Sequence, residues 1–278
     1  MTYIVLDMEW NQPYSKIKKY ANGVELSGEI IQFGAVKLND EFDIVDSFSK
    51  NVKPKYYKKL NRHVKEITGL TDEQLNGCGT FDEVYPEFLE FCGNDFAFVT
   101  WGYDDIPMLI NSIQAYNINC DEFPKVYNLQ VMFNLQVTHE SRQYSLEAAS
   151  LMLGLPENSH PHDALYDAVA TAMIAKAIDF ESAARDYDAL GSPSGAKTTK
   201  IEGFANIGDA FSDARLASTV CPICKARLKN GGWKGSRFKR STEAHCPVHG
   251  DFNYKITVYK KDDGFAARKR IALTTKNV

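Results

Sequence analysis

The sequence lacks any long apolar run, and this absence limits what the protein can be. No stretch approaches the 18 or more apolar residues of a transmembrane helix. The first apolar run, Tyr3 to Leu6, is too short for a signal peptide and is followed at once by acidic residues. We therefore expect a cytoplasmic protein that is neither secreted nor associated with a membrane.

Cysteine is also scarce, and its six residues fall into two groups. Three are scattered before residue 121, whereas Cys221, Cys224 and Cys246 lie close together. Without a secretory signal a disulfide framework is not expected, and clustered cysteines indicate a metal site instead.

Charge is distributed unevenly, although the net charge of the chain is only -4. Residues 1–196 contain 15 Lys and Arg against 29 Asp and Glu, a balance of -14. Residues 197–278 contain 17 against 7, a balance of +10. An acidic part followed by a basic part indicates two modules, and the basic module indicates a polyanionic partner.

The hydrophobic pattern predicts an α/β fold in the acidic part. Short apolar segments indicate strands at 3–7, 29–38, 42–52, 96–100 and 126–133. Helices are predicted at 71–76, 80–91, 145–153 and 163–187, and residues 11–28 are expected to form a flexible loop. This order of elements predicts a mixed five-stranded sheet flanked by helices.

The clearest linker signal is the Gly-Ser-Pro-Ser-Gly segment at 191–195. We therefore expect a first domain over 1–190, a linker over 191–200 and a small β-rich domain over 201–278. A hairpin is predicted in the last of these, with strands at 252–260 and 265–273.

Carboxylates occur in three short segments of the first domain. Asp7 and Glu9 end an apolar strand and project from the same face because strand side chains alternate. A cation would relieve their repulsion of roughly 1–4 kcal/mol at about 4 Å. The alternative is a solvated strand end that enters a polar loop.

The other two segments follow the fourth strand and open the last helix. Asp104 and Asp105 end the first of them, where they could bind a ligand or cap a helix. In the second, His162 precedes a helix on which Asp163 and Asp167 share one face. A neutral histidine can accept a proton near pH 7, whereas the alternative is capping by Asp163 with surface histidines.

Together the three segments resemble the DEDDh family of 3′–5′ exonucleases. Its D-x-E motif matches Asp7 and Glu9, and its W-G-x-x-D motif matches Asp105. Its H-x-A-x-x-D motif matches His162 and Asp167. The resemblance covers residues 1–185, and the sequence is most similar to the KapD-like and histone-mRNA-exonuclease-like branch.

The resemblance implies a ribonuclease H-like fold and metal-dependent hydrolysis of RNA or DNA from the 3′ end. The implied ligands of two Mg²⁺ or Mn²⁺ ions are Asp7, Glu9, Asp105 and Asp167, and the implied general base is His162. Met8 and Trp10 would contact the terminal nucleotide, although Trp10 could equally pack against the sheet. Homodimers are common in this family, so a homodimer is possible.

A zinc signature lies in the basic domain. Cys221-Pro-Ile-Cys224 and Cys246-Pro-Val-His249 form two ligand pairs separated by 21 residues. Four protein ligands predict one closed, structural Zn²⁺ site. His245 competes for the fourth position, but the matched spacing favours His249, and the alternative is a set of free surface cysteines.

Between the zinc ligands lies a segment without acidic residues, from Lys225 to Arg240. Cations interspersed with aromatic residues are typical of surfaces that bind a nucleic-acid backbone and stack on its bases. The alternative is a solvated face of a small domain. The predicted binding residues are Lys225, Arg227, Lys229, Trp233, Lys234, Arg237, Phe238, Lys239 and Arg240.

These patterns favour a metal-dependent 3′–5′ exonuclease whose zinc domain helps to bind nucleic acid. Two alternatives belong to other classes: a catalytically inactive, nuclease-like binding module, and a zinc-ribbon regulatory protein. Loss of activity usually removes a metal ligand or the base, and all five candidates are present here.

Overall fold

A computed structural model describes residues 1–14, 19–120, 122–192 and 194–274. Its strands are β1 (Thr2–Asn11), β2 (Lys19–Ala21), β3 (Val24–Leu26), β4 (Glu29–Leu38), β5 (Ile44–Asn51), β6 (Phe96–Thr100), β7 (Lys125–Asn128), β8 (Lys197–Phe204), β9 (Lys234–Ser236), β10 (Lys239–Cys246), β11 (Gly250–Lys261) and β12 (Gly264–Leu273).

Helices connect these strands along the chain. They are α1 (Arg62–Thr68), α2 (Asp72–Asn76), α3 (Phe81–Cys92), α4 (Asp105–Ala115), α5 (Leu129–Phe133), α6 (Leu146–Met152), α7 (Ala164–Ala177), α8 (Phe180–Leu190), α9 (Ile207–Ser212) and α10 (Ala214–Ala217), with one π-helix at Asn134–Thr138. In the part of the chain that the structure describes, no helix has both the length and the apolar character to cross a membrane.

Contacts divide the chain into two units. The first contains Met1–Gln130 and Tyr144–Asp179, and the second contains Val131–Gln143 and Phe180–Val278. The contacts thus group α8 and residues 191–196 with the second unit, whereas the sequence predicts a first domain that ends at 190. Residues 197–200, predicted as linker, belong to β8.

The first unit is built on a mixed sheet in the order β5-β4-β1-β6-β7. β1 is antiparallel to β4 and parallel to β6, as the predicted mixed five-stranded sheet requires. Phe33 of β4 and Phe98 of β6 both stack on Phe88 of α3, with ring centroids 5.0 and 6.0 Å apart. Thr80 and Glu83 form a capping box at the start of α3, which agrees with the helix predicted at 80–91.

Three predictions for this region of the chain are wrong. The predicted strand 126–133 ends at Asn128 and continues as α5, because a short buried apolar run looks alike in a strand and a helix. The predicted helix 163–187 is interrupted at Ile178, whose extended backbone separates α7 from α8 without a Gly or Pro to mark the break. Within the predicted loop 11–28, β2 and β3 form a hairpin. Its turn residues Asn22 and Gly23 both have a left-handed backbone, as a tight hairpin turn requires. Residues 15–18 of the predicted loop lie outside the described residues.

The second unit contains an antiparallel sheet in the order β8-β12-β11-β10-β9. The hairpin predicted at its carboxyl end is confirmed as β11 and β12, which pair from Phe252 with Leu273 to Lys261 with Gly264. A small apolar cluster that includes Phe211, Leu216 and Ile256 lies against one face of this sheet. Such a limited core favours an additional stabilising element.

Candidate active site and metal centre

The carboxyl ends of β1 and β6 lie side by side because the two strands are parallel neighbours. Asp7 and Glu9 point to the same face of β1, opposite Gly34 and Gln32 of β4. Both carboxylates are half-buried. The strand therefore positions them as a pair at the edge where ligands commonly bind α/β sheets.

Asp105 is held directly against this pair. It begins α4 after β6, is only 5% exposed, and its Oδ1 accepts the backbone N–H of Met8 at 3.0 Å. The neighbouring Asp104 makes no side-chain capping bond to the helix. Of the two adjacent aspartates, the structure thus brings Asp105 to the β1 carboxylates.

The third segment supplies Asp167 and His162 from the start of α7. Asp163 caps the helix through the N–H groups of Leu165 and Tyr166, as the capping alternative predicts. Asp167 lies one turn further, where its carboxylate accepts Asn158 Nδ2 at 2.6 Å and the backbone N–H of His162 at 3.0 Å. Asp163 therefore caps this helix, whereas Asp167 has no part in the cap and is held by Asn158 and His162.

Donor atoms from these separate elements converge. Glu9, His162 and Asp167 each place a donor atom within 4.8 Å of the others, a spacing suited to a shared ion. His162 is exposed and adopts a left-handed conformation, with a φ of 65°. A positive φ is uncommon in residues other than Gly, with Asn, Asp and His the most frequent exceptions, and such backbone is concentrated at functional sites.

Two residues of β4 support the site, and the sequence analysis did not single them out. Gln32 accepts the N–H of Ala164 at 3.0 Å and donates to Asp163 at 3.3 Å, so it ties the start of α7 to the sheet. A Cβ on Gly34 would lie 2.0 Å from the backbone carbon of Ala164. Gly34 and Gln32 could be recognised from the sequence only by their positions opposite Asp7 and Glu9. Those positions depend on how β1 and β4 pair, which the sequence alone does not show.

We expect Gly34→Ala to lower stability by about 1–3 kcal/mol, because the added methyl must displace the backbone of α7. The same displacement should weaken any activity that depends on Asp167. Thermal unfolding measures the first effect. Gly77→Ala is the matched control, since a Cβ there meets nothing within 4 Å; an equal loss in both variants would contradict the close approach.

The carboxyl groups strongly perturb one another. Burial is the main cause that raises the pKa of Asp7 well above its ordinary value, and the charges of Asp105, Asp167 and Glu9 add to it. Burial and the Asp167 and Asp105 charges raise the pKa of Glu9 to about 8, and burial raises that of Asp105 to about 7. Burial also raises the pKa of Asp167.

This donor set fits divalent cations. Four carboxylates offer hard oxygen ligands, which Mg²⁺ and Mn²⁺ prefer, and they are too close to ionise together without a counter-charge. A bound cation supplies that charge and lets the carboxylates ionise. The residues present therefore match the divalent-metal site that the sequence resemblance implies.

Without added Mg²⁺, the melting temperature should fall as the pH rises from about 5 to about 8. The folded state keeps protons on Glu9 up to about pH 8, whereas the unfolded chain releases them near its ordinary pKa of 4.5. Stability is thus lost through this window as the buried charges appear. Added Mg²⁺ should raise the melting temperature again, and the increase should be larger near pH 8 than near pH 5.

The variant Glu9→Gln tests whether repulsion between the buried carboxylates causes this loss of stability. A neutral amide removes one buried charge, so the variant should melt higher than the wild type at about pH 8 without Mg²⁺ and gain less from added Mg²⁺. Glu90→Gln, on the exposed face of α3, is the control and should titrate like the wild type. A melting temperature of Glu9→Gln below that of the wild type at high pH would contradict the repulsion.

The residues flanking the β1 carboxylates differ in exposure. Met8 was expected to contact a nucleotide, but its side chain is only 2% exposed and packs in the core, so that prediction is wrong for the side chain. Trp10 packs partly against the same core and also borders an open cleft of about 500 Å³. The cleft is lined by Trp10, Gln12, Pro13, Ser27, Asp104, Pro107, Met108 and Asn111.

A family model described as RNase T, exonuclease, matches residues 5–175, which contain all four carboxylates and His162. The chain belongs to this exonuclease family. The DNA polymerase III PolC-type of Clostridium perfringens is 32% identical over 183 residues, which are 63% of this chain and 11% of that protein. The chain therefore spans only a small part of that relative's length.

Two further proteins show the same relationship. The DNA polymerase III subunit epsilon of Aquifex aeolicus is 29% identical over 174 residues, 62% of this chain and 78% of that protein. Among solved structures, the nuclease domain of 3′hExo, a DEDDh family member, bound to rAMP, aligns with a TM-score of 0.56. It is 22% identical over 63% of this chain and 90% of that one. The ribonuclease H-like fold predicted for the exonuclease is thus confirmed.

The second unit of the exonuclease contains a separate cluster formed by Cys221, Cys224, Cys246 and His249, with donor atoms within 4.8 Å of one another. Cys224 Sγ lies 3.8 Å from Cys246 Sγ, and His249 Nδ1 lies 3.6 and 3.5 Å from the sulfurs of Cys221 and Cys246. Tetrahedral zinc with ordinary bond lengths requires about 3.8 Å between sulfurs and about 3.6 Å from sulfur to nitrogen. The cluster therefore has the dimensions of a zinc site.

The two candidate histidines are clearly separated by the structure. His245 is exposed and pairs with Asp251 at 2.8 Å, away from the cluster, whereas His249 is buried within it. The Nε2 of His249 faces Asp186 of α8, whose carboxylate lies at 3.7 Å. Histidines that bind zinc commonly have a carboxylate next to the ring nitrogen that does not bind the metal. The spacing of the zinc ligands in the sequence does not predict that Asp186 lies there.

The predicted nucleic-acid residues of this unit differ in what their side chains contact. Trp233 packs against the apolar core, and the guanidinium of Arg240 lies 4.1 Å from the ring centre of Phe211, so neither presents a free stacking face. Lys225 hydrogen-bonds the carbonyl of Pro222 within the cysteine turn. Phe238 is 41% exposed beside Arg237, and the remaining predicted cations are exposed: Arg227, Lys229, Lys234 and Lys239.

Proposed function

We propose that this exonuclease is a metal-dependent 3′–5′ enzyme that hydrolyses phosphodiester bonds of RNA or single-stranded DNA. The observation that carries the proposal is the convergence of Glu9, Asp167 and His162, with donor atoms within 4.8 Å of one another, together with Asp7 and Asp105, whose pKa values are raised by burial and by the neighbouring carboxylates. Structural ion-pair networks also shift pKa values, but this cluster contains no lysine or arginine among the causes of its shifts.

In this proposal Asp7, Glu9, Asp105 and Asp167 hold two Mg²⁺ or Mn²⁺ ions. Two such ions supply charge neutralisation at the phosphate and a lower pKa for the attacking water. The chain's own contribution is to fix the carboxylates. The N–H of Met8 holds Asp105, and the side chain of Asn158 holds Asp167, so both ligands are oriented before substrate binds.

His162 acts as the general base. A ring nitrogen of His162 lies within 4.8 Å of carboxylate oxygens of Glu9 and Asp167, so the imidazole borders the place where a water would attack. A neutral imidazole accepts a proton near pH 7. Its backbone N–H is bound to Asp167, which couples the position of the base to that of a ligand.

The cleft beside Trp10 receives the terminal nucleotide. Its indole is partly buried and borders this open volume, whose lining also includes Asp104, the residue before Asp105, so the ring can stack on a base without reading its identity. Cleavage from the 3′ end is supported by the three motifs, which are those of DEDDh 3′–5′ exonucleases. A polymerase-type relative and a neighbour bound to rAMP support DNA and RNA alike as substrates.

The test uses single-stranded RNA and DNA labelled at either end, with Mg²⁺, with Mn²⁺ and without either. The proposal expects a metal-dependent ladder from the 5′ label and early mononucleotide release from the 3′ label. Internal cleavage, release from the 5′ end, or no cleavage would each overturn it.

The second unit is proposed to hold one structural Zn²⁺ through Cys221, Cys224, Cys246 and His249, and to help bind nucleic acid. Four protein donors at tetrahedral distances leave no open position, so the ion would stabilise this unit and take no part in hydrolysis.

Asp186→Asn should weaken zinc binding about 10- to 100-fold, because the amide no longer supports the histidine from behind. A chelator competition assay on the full chain measures the change. Glu181→Gln, an exposed carboxylate of the same helix, is the control and should bind zinc like the wild type. Equal affinity in all three proteins would show that Asp186 plays no part.

A further inference from the structure

The antiparallel sheet of the second unit has two chemically different faces. One face is apolar and buried, and it contains Tyr254, Ile256, Val258 and Ala267. Lys269 is buried on that face, where its Nζ donates to the carbonyls of Arg215 and Ser218. Strand alternation sends the neighbours of these residues to the opposite face.

Two rows of cations cross the opposite face. In the first row, Lys200 of β8 pairs with Arg268 of β12, and Thr257 of β11 connects Arg268 to Lys239 of β10. In the second row, Arg270 of β12 pairs with Lys255 of β11, and Ser241 of β10 connects Lys255 to Lys234 of β9. We call this set the cationic face: Lys200, Lys234, Lys239, Lys255, Arg268 and Arg270.

The cationic face is open and its charges are not neutralised. All six side chains are exposed, and among the described residues none of them forms an ion pair with a carboxylate. Acidic residues occur on this side only beyond the rows. Glu202 is paired with Lys261, Asp251 is paired with His245, and Glu243 lies opposite Asn253.

The dimensions match a nucleic-acid strand. Five strands about 4.8 Å apart give a face about 19 Å wide, and alternate residues along a strand are about 6.8 Å apart. Phosphates of one duplex strand advance about 3.4 Å each along the helix axis, so a backbone that crosses the face can place several phosphates within reach of the rows. Three hydroxyl side chains, Thr198, Thr257 and Ser241, lie in the same rows and can donate to phosphate oxygens.

We propose that the cationic face binds the sugar–phosphate backbone of a nucleic-acid strand independently of sequence. The inference rests on the proposed nuclease function and deepens it by assigning the binding surface. It also relocates that surface, because four of the six cations lie outside the segment from Lys225 to Arg240. The rows contain no exposed aromatic side chain, so binding depends on charge and is strongly sensitive to salt.

The experiment compares two triple variants of the full chain. Lys255→Gln/Arg268→Gln/Arg270→Gln removes three charges from the face. Arg185→Gln/Arg215→Gln/Lys260→Gln also removes two arginines and one lysine, from exposed positions of this unit outside both the cationic face and the predicted binding segment. Binding of a labelled single-stranded oligonucleotide is measured by anisotropy over a range of KCl, with Ca²⁺ in place of Mg²⁺.

The face variant should lower the log–log salt slope by about 2, at about 0.7 per lost contact, and bind at least about tenfold more weakly at low salt. The control should keep the wild-type slope. An unchanged slope in the face variant, or an equal change in the control, would overturn the proposal, and the first outcome would favour an acidic protein as the partner of this face.

Two additions keep the result decisive. Zinc content and melting temperature verify that each variant is folded. If the first face variant is not folded, the variant Lys200→Gln/Lys234→Gln/Lys239→Gln, with its changes on the other strands, replaces it. The same change in salt slope is expected. Hydrolysis of a dinucleotide by the wild type is measured in parallel with Mg²⁺. Its absence would overturn the nuclease proposal, whereas the binding slopes decide the cationic face independently.

Discussion

Asp7→Asn is expected to reduce kcat by about 10³-fold or more, which corresponds to about 4 kcal/mol of transition-state stabilisation. Asp7 has the central place among the carboxylates, because its pKa is raised by Asp105, Asp167 and Glu9 together. The amide keeps the size of the side chain but removes the anionic oxygen that a divalent cation needs. Release of mononucleotides from a 3′-labelled strand in Mg²⁺ and Mn²⁺ measures the loss.

The fold should survive this change. Neutralising one member of a repelling cluster relieves repulsion, so the melting temperature of Asp7→Asn without Mg²⁺ should equal or exceed that of the wild type near pH 8. Asp46→Asn, an exposed aspartate of β5, is the control and should keep wild-type activity. More than a tenth of wild-type kcat in Asp7→Asn would contradict the assignment of the metal ligands.

Cys246→Ser is expected to abolish zinc binding and to unfold the second unit at a much lower temperature. Zinc binding contributes about 10–16 kcal/mol of folding free energy in small zinc domains, and the apolar core here is limited. Cys246 ends β10, so its loss should also disorder the sheet that carries the cationic face. Calorimetry with metal analysis should show a separate early transition and less than one zinc per chain.

Cys120→Ser is the control for this loss, because Cys120 is exposed and lies outside the cluster. It should keep its zinc and its unfolding profile. If Cys246→Ser also kept the wild-type profile, the cluster would have no structural role, and the spacing of its donor atoms would need another explanation.

The catalytic motifs were predictable because each is local. A strand end, a turn into a helix and the first turn of another helix carry the side chains, and neighbouring residues determine all three. Their distances to one another depend on sheet order, which the resemblance implied and the residues alone did not. The support from Gln32 and Gly34 of β4 depends on register and was therefore missed.

The surface proposed to bind nucleic acid in the second unit shows the same limit of local sequence information. The cations from Lys225 to Arg240 are contiguous in sequence, so they suggested one surface, but Trp233 and Arg240 contact the core side. Lys255 and Arg270 are 15 positions apart and yet face each other across two strands. Charge that is assembled by strand pairing cannot be recognised from local composition.

The carboxylate cluster is proposed to hold two divalent ions. The most direct test is a crystal grown with Mn²⁺ and a nucleoside 5′-monophosphate, measured at the manganese absorption edge. We predict two anomalous peaks about 3.5–4 Å apart, bounded by Asp7, Glu9, Asp105 and Asp167. A nucleotide bound beside Trp10 with no anomalous peak at the carboxylates would contradict the account.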